Sequence, residues 1–370
     1  MKEDNKMTAR ENYLKLLHHE PIQEFITLFP SVTILMQPSV TADIPLTPDD
    51  TEDAFGCKWI FDKSNGAFVP DPHKKKVLED ICDWRDVVKW PDVESMDWEA
   101  AAHRDGADKV DRENTAYCVY TLMGPFERLH ILMGFENALC ALLEEPEEVA
   151  AFFDRYAEYK IAVINKIARY YKPDVIQFQD DAGTALGTFY SPEVWKTLVK
   201  PVWKKLAQAI HDNGIPCDFH CCGKNTTFFE DLGDTCIDGL FIQPINDLQR
   251  IRAASKGKLA LQVQMPLDMG AIFSGKVTVG ELRRSSYEFV SKNIKEGYGD
   301  FIPVMMPPII GANAGAVDAE VTAQDVDVPE FTDDMPVPPE MVHYIVWNHI
   351  MAHADDFTKM IQKRNMELGI

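Results

Sequence analysis

The sequence predicts an α/β fold, a (β/α)8 barrel with an N-terminal helical extension. From residue 174 onward, short apolar runs alternate with helical stretches, the pattern of parallel βαβ units. No G-x-G-x-x-G follows any of those runs, which argues against an open dinucleotide-binding sheet. Polar residues collect at the downstream end of each run: Asp180 and Asp181, His220 and Cys222, Gln243, Gln264. In a barrel all such ends meet on one face, where active sites lie.

The elements follow in order. TARENYLKLLHHE, near the start, has helical spacing, and TAYCVYTLMGPFE reads as a buried strand followed by a turn. NALCALLEEPEEVAAFFDRYAEYKIAVINKIARYY spaces Leu142, Val149, Phe153 and Tyr156 as helices do, with Pro146 dividing it into two. Five strands are then expected in DVIQFQDD, PCDFHCCG, GLFIQP, LALQVQMP and DFIPVMMP. Between them come helices that start at Ser191-Pro192 and Asn246-Asp247 and stop near Gly214, Gly257 and Gly299. The 370 residues suit one barrel-sized domain, with 1–110 as the N-terminal segment and barrel entry and 111–370 as the main barrel units.

Composition narrows the function. A formal net charge of −22 repels phosphate backbones, so nucleic acid is not an expected partner. No apolar run reaches the roughly 18 residues of a membrane span, and MKEDNKMTAREN lacks the apolar stretch of a signal peptide. A cytoplasmic location is expected. The eight cysteines are scattered without a secreted framework's spacing and read as reduced thiols.

Three constellations carry the chemistry. QFQDDAG ends a strand with two adjacent carboxylates, and strand alternation lets only one of Asp180 and Asp181 aim into the barrel mouth. That one suits substrate binding, proton transfer or metal ligation, and the alternative is a helix cap or salt bridge. In FHCCGKN, His220 and Cys222 share a face while Cys221 points away, and imidazole with thiolate is a zinc half-site that needs a third ligand. A buried structural His–Cys pair is the competing reading. Glu127 in GPFE is placed at the close of a strand, as cap or ligand; Gln179, Gln243 and Gln264 are candidate substrate contacts. His349 and His353 stand four apart on the last helix, outside the expected mouth, where a metal role is not expected.

These strings together resemble the uroporphyrinogen decarboxylase superfamily, and within it the cobalamin-dependent methyltransferases and O-demethylases. The resemblance runs from MTARENYLKLLHHEPI through GPFE, GFENALCALLEEPEEV, DDAGT and SPEVWKTLVKP to HCCGKN and IDGLFIQPINDLQRI. The decarboxylase branch fits less well, because FITLFPSVTILMQPSV stands where its MRQAGR signature is expected. His220 and Cys222 match the H-x-C-G zinc half-site of the methyltransferase branch. That branch takes its last cysteine ligand from a late strand, whereas DFIPVMMPPIIGANAG has no cysteine; Glu127, Asp180 and Asp181 are the replacement candidates.

The resemblance implies Zn²⁺ and methyl transfer between a small methylated substrate and a corrinoid on a separate protein, with homodimers plausible. DFHCCG matches the D-x-H-x-x-G of cobalamin-carrying domains formally, but it lies inside the barrel rhythm, so the corrinoid is expected on a partner. Phenyl methyl ethers are the preferred donors, since Phe178, Phe189, Tyr190, Phe219, Met265, Met305 and Met306 gather near the presumed mouth. Two other readings are a metal-independent decarboxylase or lyase using the aspartates, and a non-catalytic binding barrel.

Overall fold

The computed structural model describes residues 7–63, 66–305 and 330–370. Seven parallel strands form one sheet: β1 (Val32–Leu35), β4 (Ala116–Thr121), β5 (Val175–Gln179), β6 (Cys217–His220), β7 (Gly239–Ile242), β8 (Ala260–Gln264) and β9 (Phe301–Val304). They follow one another in chain order across the sheet. A two-stranded antiparallel hairpin, β2 (Trp59–Asp62) with β3 (Ala67–Pro70), stands apart. All five expected late strands are present as β5 to β9, and TAYCVYT supplies β4. Among the described residues no eighth strand joins β9 to β1. Met306, and the rest of the late-strand segment after it up to residue 329, lies outside the described residues.

Polar groups on the inner face of the curled sheet reach across strands. Asp218 of β6 accepts hydrogen bonds from Gln177 Nε2 of β5 at 2.6 Å and from Gln262 Nε2 of β8 at 2.8 Å. The second bond passes over Gly239 of β7, where a Cβ would lie 2.5 Å from Asp218 Oδ1. Helix Ala9–Leu17 fills the end of the curl below this layer: Tyr13, fully buried, donates its hydroxyl to Gln262 Oε1 at 3.4 Å. The same helix is clamped from outside by Arg10, whose Nη2 reaches Asp174 Oδ1, ahead of β5, at 2.6 Å.

Strand alternation sorts the remaining side chains. Since Gln177 and Asp218 face inward, Phe178 and Phe219 face outward. Their rings lie 4.6 Å apart, and Phe219 meets Trp203 of helix Lys200–Asp212 at 4.5 Å. The expectation that these two phenylalanines line the mouth is therefore corrected: they glue helix to sheet. Met265 and Met305 are buried at strand ends.

The helices begin as their sequences demand. Ser191 Oγ accepts Val194 N–H at 3.2 Å, and Asp247 accepts the amides of Gln249 and Arg250. The stretch after Ser191 is not one regular helix: Trp195–Val199 forms a wider turn ahead of Pro201, which has no N–H to continue the ladder. Pro146 divides helices Phe135–Glu144 and Pro146–Tyr170 as expected. The last helix breaks at His353 into Val342–Ala352 and Ala354–Leu368. No described helix is long and apolar enough to cross a membrane.

Candidate metal centre

The carboxyl ends of β5 and β6 meet at two loops. Asp180 and Asp181 follow β5, and Cys221 to Asn225 follow β6. Gly223 has a φ of +97°, and a Cβ there would lie 2.3 Å from the backbone of Gly183. A side chain at Gly183 would in turn lie 2.4 Å from Asn225 Oδ1. Only glycines permit so close a contact. Lys224 N–H donates to Thr184 carbonyl oxygen at 2.8 Å, which closes the seam.

This seam brings three donors together. The metal-ligating atoms of Asp181, His220 and Cys222 all lie within 4.8 Å of one another. Cys222 N–H donates to Asp181 Oδ1 at 2.7 Å, and His220 Nε2 stands 3.2 Å from Cys222 Sγ. His220 Nδ1 lies 3.1 Å from the carbonyl oxygen of Phe241. That oxygen only accepts, so Nδ1 carries the hydrogen and the Nε2 lone pair faces the thiol and carboxylate. Donors bound tetrahedrally to zinc stand about 3.5 Å from each other, which the cluster meets with small adjustment. Nitrogen, sulfur and one carboxylate oxygen form a set that zinc accepts.

Burial shapes the protonation of this centre. It pushes the Cys222 thiol up to about 12, with Asp181 adding to the effect, and it lowers the His220 imidazole. A neutral imidazole and a neutral thiol result. A cation placed among them stabilises the thiolate and reverses the shift at Cys222.

The two aspartates have separate tasks. Asp180 is fully buried and turns outward: Oδ1 accepts Glu127 N–H at 3.0 Å and Oδ2 accepts the Trp203 indole N–H at 2.8 Å. It thereby caps helix Pro125–Met133 and fixes helix Lys200–Asp212. Burial still raises its carboxyl to about 7. Gly124 gives it room, since a Cβ there would lie 2.1 Å from Asp180 Cβ.

Glu127 occupies the first turn of helix Pro125–Met133 rather than a strand end, and its Oε2 accepts the N-cap Gly124 N–H at 3.1 Å. Burial, then the Asp181 and Asp180 carboxylates, push it well above the usual carboxylate range. Gln179 pairs in register with His220 on the inner face. Gln243 Oε1 accepts Gly223 N–H at 2.9 Å, so it holds the turn. Gln264 ends β8 on the inner face with Gln262. Asn225 and Asn246 complete the support: Asn246 Oδ1 accepts Asn225 N–H at 2.8 Å, and Asn225 Nδ2 donates to Cys222 carbonyl oxygen at 2.6 Å.

His130, absent from the sequence reading, joins this region. It lies one helical turn beyond Glu127, and Asp181 is the largest charged influence on its imidazole. Burial lowers it to about 4, which leaves it neutral at physiological pH. The signal was present in GPFERLH, where Glu127 and His130 are three apart and so share a helix face. His349 and His353 meet edge-on at 4.5 Å beside Tyr287, far along the chain from this centre and outside the sheet.

The sequence profile of the family described as uroporphyrinogen decarboxylase (URO-D) matches residues 51–283. The chain belongs to the uroporphyrinogen decarboxylase family. Thirteen chains of solved structures also match this URO-D family member. One of them, a methyltransferase from Methanosarcina mazei, superposes with a TM-score of 0.59 at 14% sequence identity, covering 94% of this chain and 100% of that one. At that identity the likeness speaks for the fold. No functionally curated protein matches the sequence.

Proposed function

We propose that this URO-D family chain is a zinc-dependent methyltransferase that moves a methyl group from a small methylated substrate to the cobalt of a separate corrinoid protein. The observation that carries the reading is the triad of Asp181, His220 and Cys222 at the carboxyl ends of adjacent strands. In this reading the curled sheet belongs to a (β/α)8 barrel, and the protein works in the cytoplasm as a homodimer with a corrinoid protein as partner. Asp181 takes the place of the late-strand cysteine that the sequence lacks.

Asp181, His220 and Cys222 would hold the zinc, which would supply Lewis acidity to the atom from which the methyl group departs. The chain does the rest. Phe241 holds the His220 tautomer through its carbonyl oxygen, and Gln243, Asn225 and Asn246 hold the turn that carries Cys222. Glu127 and His130 stand on helix Pro125–Met133, whose first turn Asp180 caps, and both feel the Asp181 carboxylate; in this reading they would orient a substrate or hold its proton. A methoxylated aromatic is the preferred donor, by O-demethylation. Chemistry by the aspartate pair alone is disfavoured, since both Asp180 oxygens already hold N–H groups of the protein.

The test is elemental analysis of the purified protein and of Cys222→Ala. Near-stoichiometric zinc in the wild type, lost in the variant, is expected, together with methyl transfer to a corrinoid protein that His220→Ala abolishes. Wild-type protein without metal, or full activity in His220→Ala, removes zinc from the reaction.

A further inference from the structure

The chain leaves β4 at Thr121 and enters helix Pro125–Met133 at Pro125, so Leu122, Met123 and Gly124 make the whole turn between them. Met123 holds a φ of +61° there, left-handed for a residue with a side chain. That conformation is sparsely populated and persists where its surroundings fix it. Backbone carbonyls that leave a sheet ladder in a dry environment need other donors, and helix Pro146–Tyr170 supplies two. Tyr156 donates its hydroxyl to the Met123 carbonyl oxygen, and Lys160 Nζ donates to the Leu122 carbonyl oxygen and, at 3.2 Å, to Thr121 Oγ1. Tyr156 and Lys160 stand four apart, hence on one face of their helix, and both are wholly buried.

The Lys160 charge is offset by Asp43 Oδ2 at 2.8 Å. Arg128, next to Glu127, is held by Asp53 Oδ2 at 2.7 Å and by the Asp43 carbonyl oxygen at 3.0 Å. Buried ion pairs rarely stabilise a fold more than apolar side chains of the same volume would. Methionine could fill the Lys160 site but could not hold a carbonyl, so what the lysine supplies is a direction for the turn. On its far side the turn is bonded to the neighbours of the centre. Gly124 packs on Asp180 so closely that a Cβ would overlap it, Gly124 N–H donates to Glu127 Oε2, and Glu127 N–H donates to Asp180 Oδ1. Asp180 N–H in turn donates to the His220 carbonyl oxygen at 3.2 Å. Contacts thus run without a gap from helix Pro146–Tyr170 to the strand that carries His220.

We infer that Tyr156 and Lys160 are positioning residues: by holding the Met123 and Leu122 carbonyls they set the turn after β4, and with it the seat of Glu127 on Asp180 beside the Asp181–His220–Cys222 centre. Both act through Glu127 rather than on a reactant. A displacement of about 1 Å at a group that orients a reactant can cost up to about 100-fold in rate, so a turn held from behind has a kinetic consequence. The inference rests on the zinc methyl-transfer reading for the task of Glu127, whereas the hold on the turn stands without it.

The experiment compares the full chain with Tyr156→Phe, which removes one hydroxyl and keeps the ring, and with Lys160→Met made together with Asp43→Asn, so that no unpaired charge is buried. Hydrogen exchange is followed by mass spectrometry across residues 123–130 and across β6 to β8, alongside zinc content and methyl-transfer kinetics. Both variants should exchange the amides of residues 126–128 at least about tenfold faster, with β6 to β8 and zinc content as in the wild type. Transfer should lose about tenfold in kcat with KM little changed, and Tyr156→Phe should cost nothing further in a Glu127→Gln background. Unchanged exchange at 126–128, or exchange that rises equally throughout the chain, leaves Tyr156 and Lys160 as ordinary packing and overturns the inference. An unchanged kcat, or a loss that adds in full to that of Glu127→Gln, overturns the path through Glu127. A wild type without zinc or turnover sinks the parent reading instead, and the exchange at 126–128 then decides the hold on the turn by itself.

Discussion

The Asp181 carboxylate accepts the backbone N–H of Cys222 at 2.7 Å, so the loop after β5 and the loop after β6 fix each other's side chains. On the zinc reading, the candidate third ligand is thus placed by the same contact that shapes the His220-x-Cys222 turn. Removing it should affect metal first and fold second. Asp181→Ala is expected to lower zinc affinity at least about 100-fold, measured by competition with a chromophoric chelator. Affinity within a few-fold of wild type would show that another group completes the site.

Asp180→Ala should behave in the opposite way. The change strands the Glu127 N–H and the Trp203 indole N–H in a dry environment, at a cost of about 2 to 4 kcal/mol. Urea denaturation measures the loss, and zinc stoichiometry in the folded fraction should match wild type. Metal loss without loss of stability would contradict the assignment of Asp180 as a cap.

Gly223→Ala tests the seam. At φ +97° and with a Cβ 2.3 Å from the Gly183 backbone, alanine must move one loop off the other. The expected destabilisation is about 3 kcal/mol or more, and the surviving folded protein should bind zinc weakly. Gly187, by contrast, has open space around its Cβ position, so Gly187→Ala serves as a control that changes little.

Asp218 predicts a pH dependence. Burial raises its carboxyl to about 6, against the pull of the Gln177 and Gln262 amides. The folded-state value lies above that of the unfolded chain, so the folded protein binds the extra proton. Its contribution to stability is fully present below about pH 4 and is lost as the pH rises through about 6. The wild type should therefore lose about 2 to 3 kcal/mol relative to Asp218→Asn between pH 4 and pH 7, followed by denaturant unfolding across that range. Parallel curves for the two proteins would mean that Asp218 titrates normally.

Much of the barrel side of the fold was legible in the sequence. DVIQFQDD, PCDFHCCG, GLFIQP, LALQVQMP and DFIPVMMP all contain strands because each is a short apolar run bounded by turn residues. β1 escaped notice since its four residues, Val32–Leu35, sit among prolines with no period to read. The hairpin Trp59–Asp62 with Ala67–Pro70 escaped for the same shortness. At the site, the His220-x-Cys222 spacing fixed a shared face, but the choice between Asp180 and Asp181 depended on where β5 stops, which sequence does not define. Phe178 and Phe219 were misplaced at the mouth although their alternation with Gln177 and Asp218 already assigned them outward. His130 was missed because a lone histidine on an apolar helix has no signal until its Glu-x-x-His spacing is set beside a strand end.

Helix Ala9–Leu17 seals the lower end of the curled sheet, with Tyr13 bonded to Gln262 and Leu17 lying against Gly239. With that end occupied, the described residues carry Asp181, His220 and Cys222 at the opposite side, the carboxyl ends of the strands. On the proposed reading, methyl donor and corrinoid protein would both come to that side, and whichever arrives first becomes part of the wall that the second one sees.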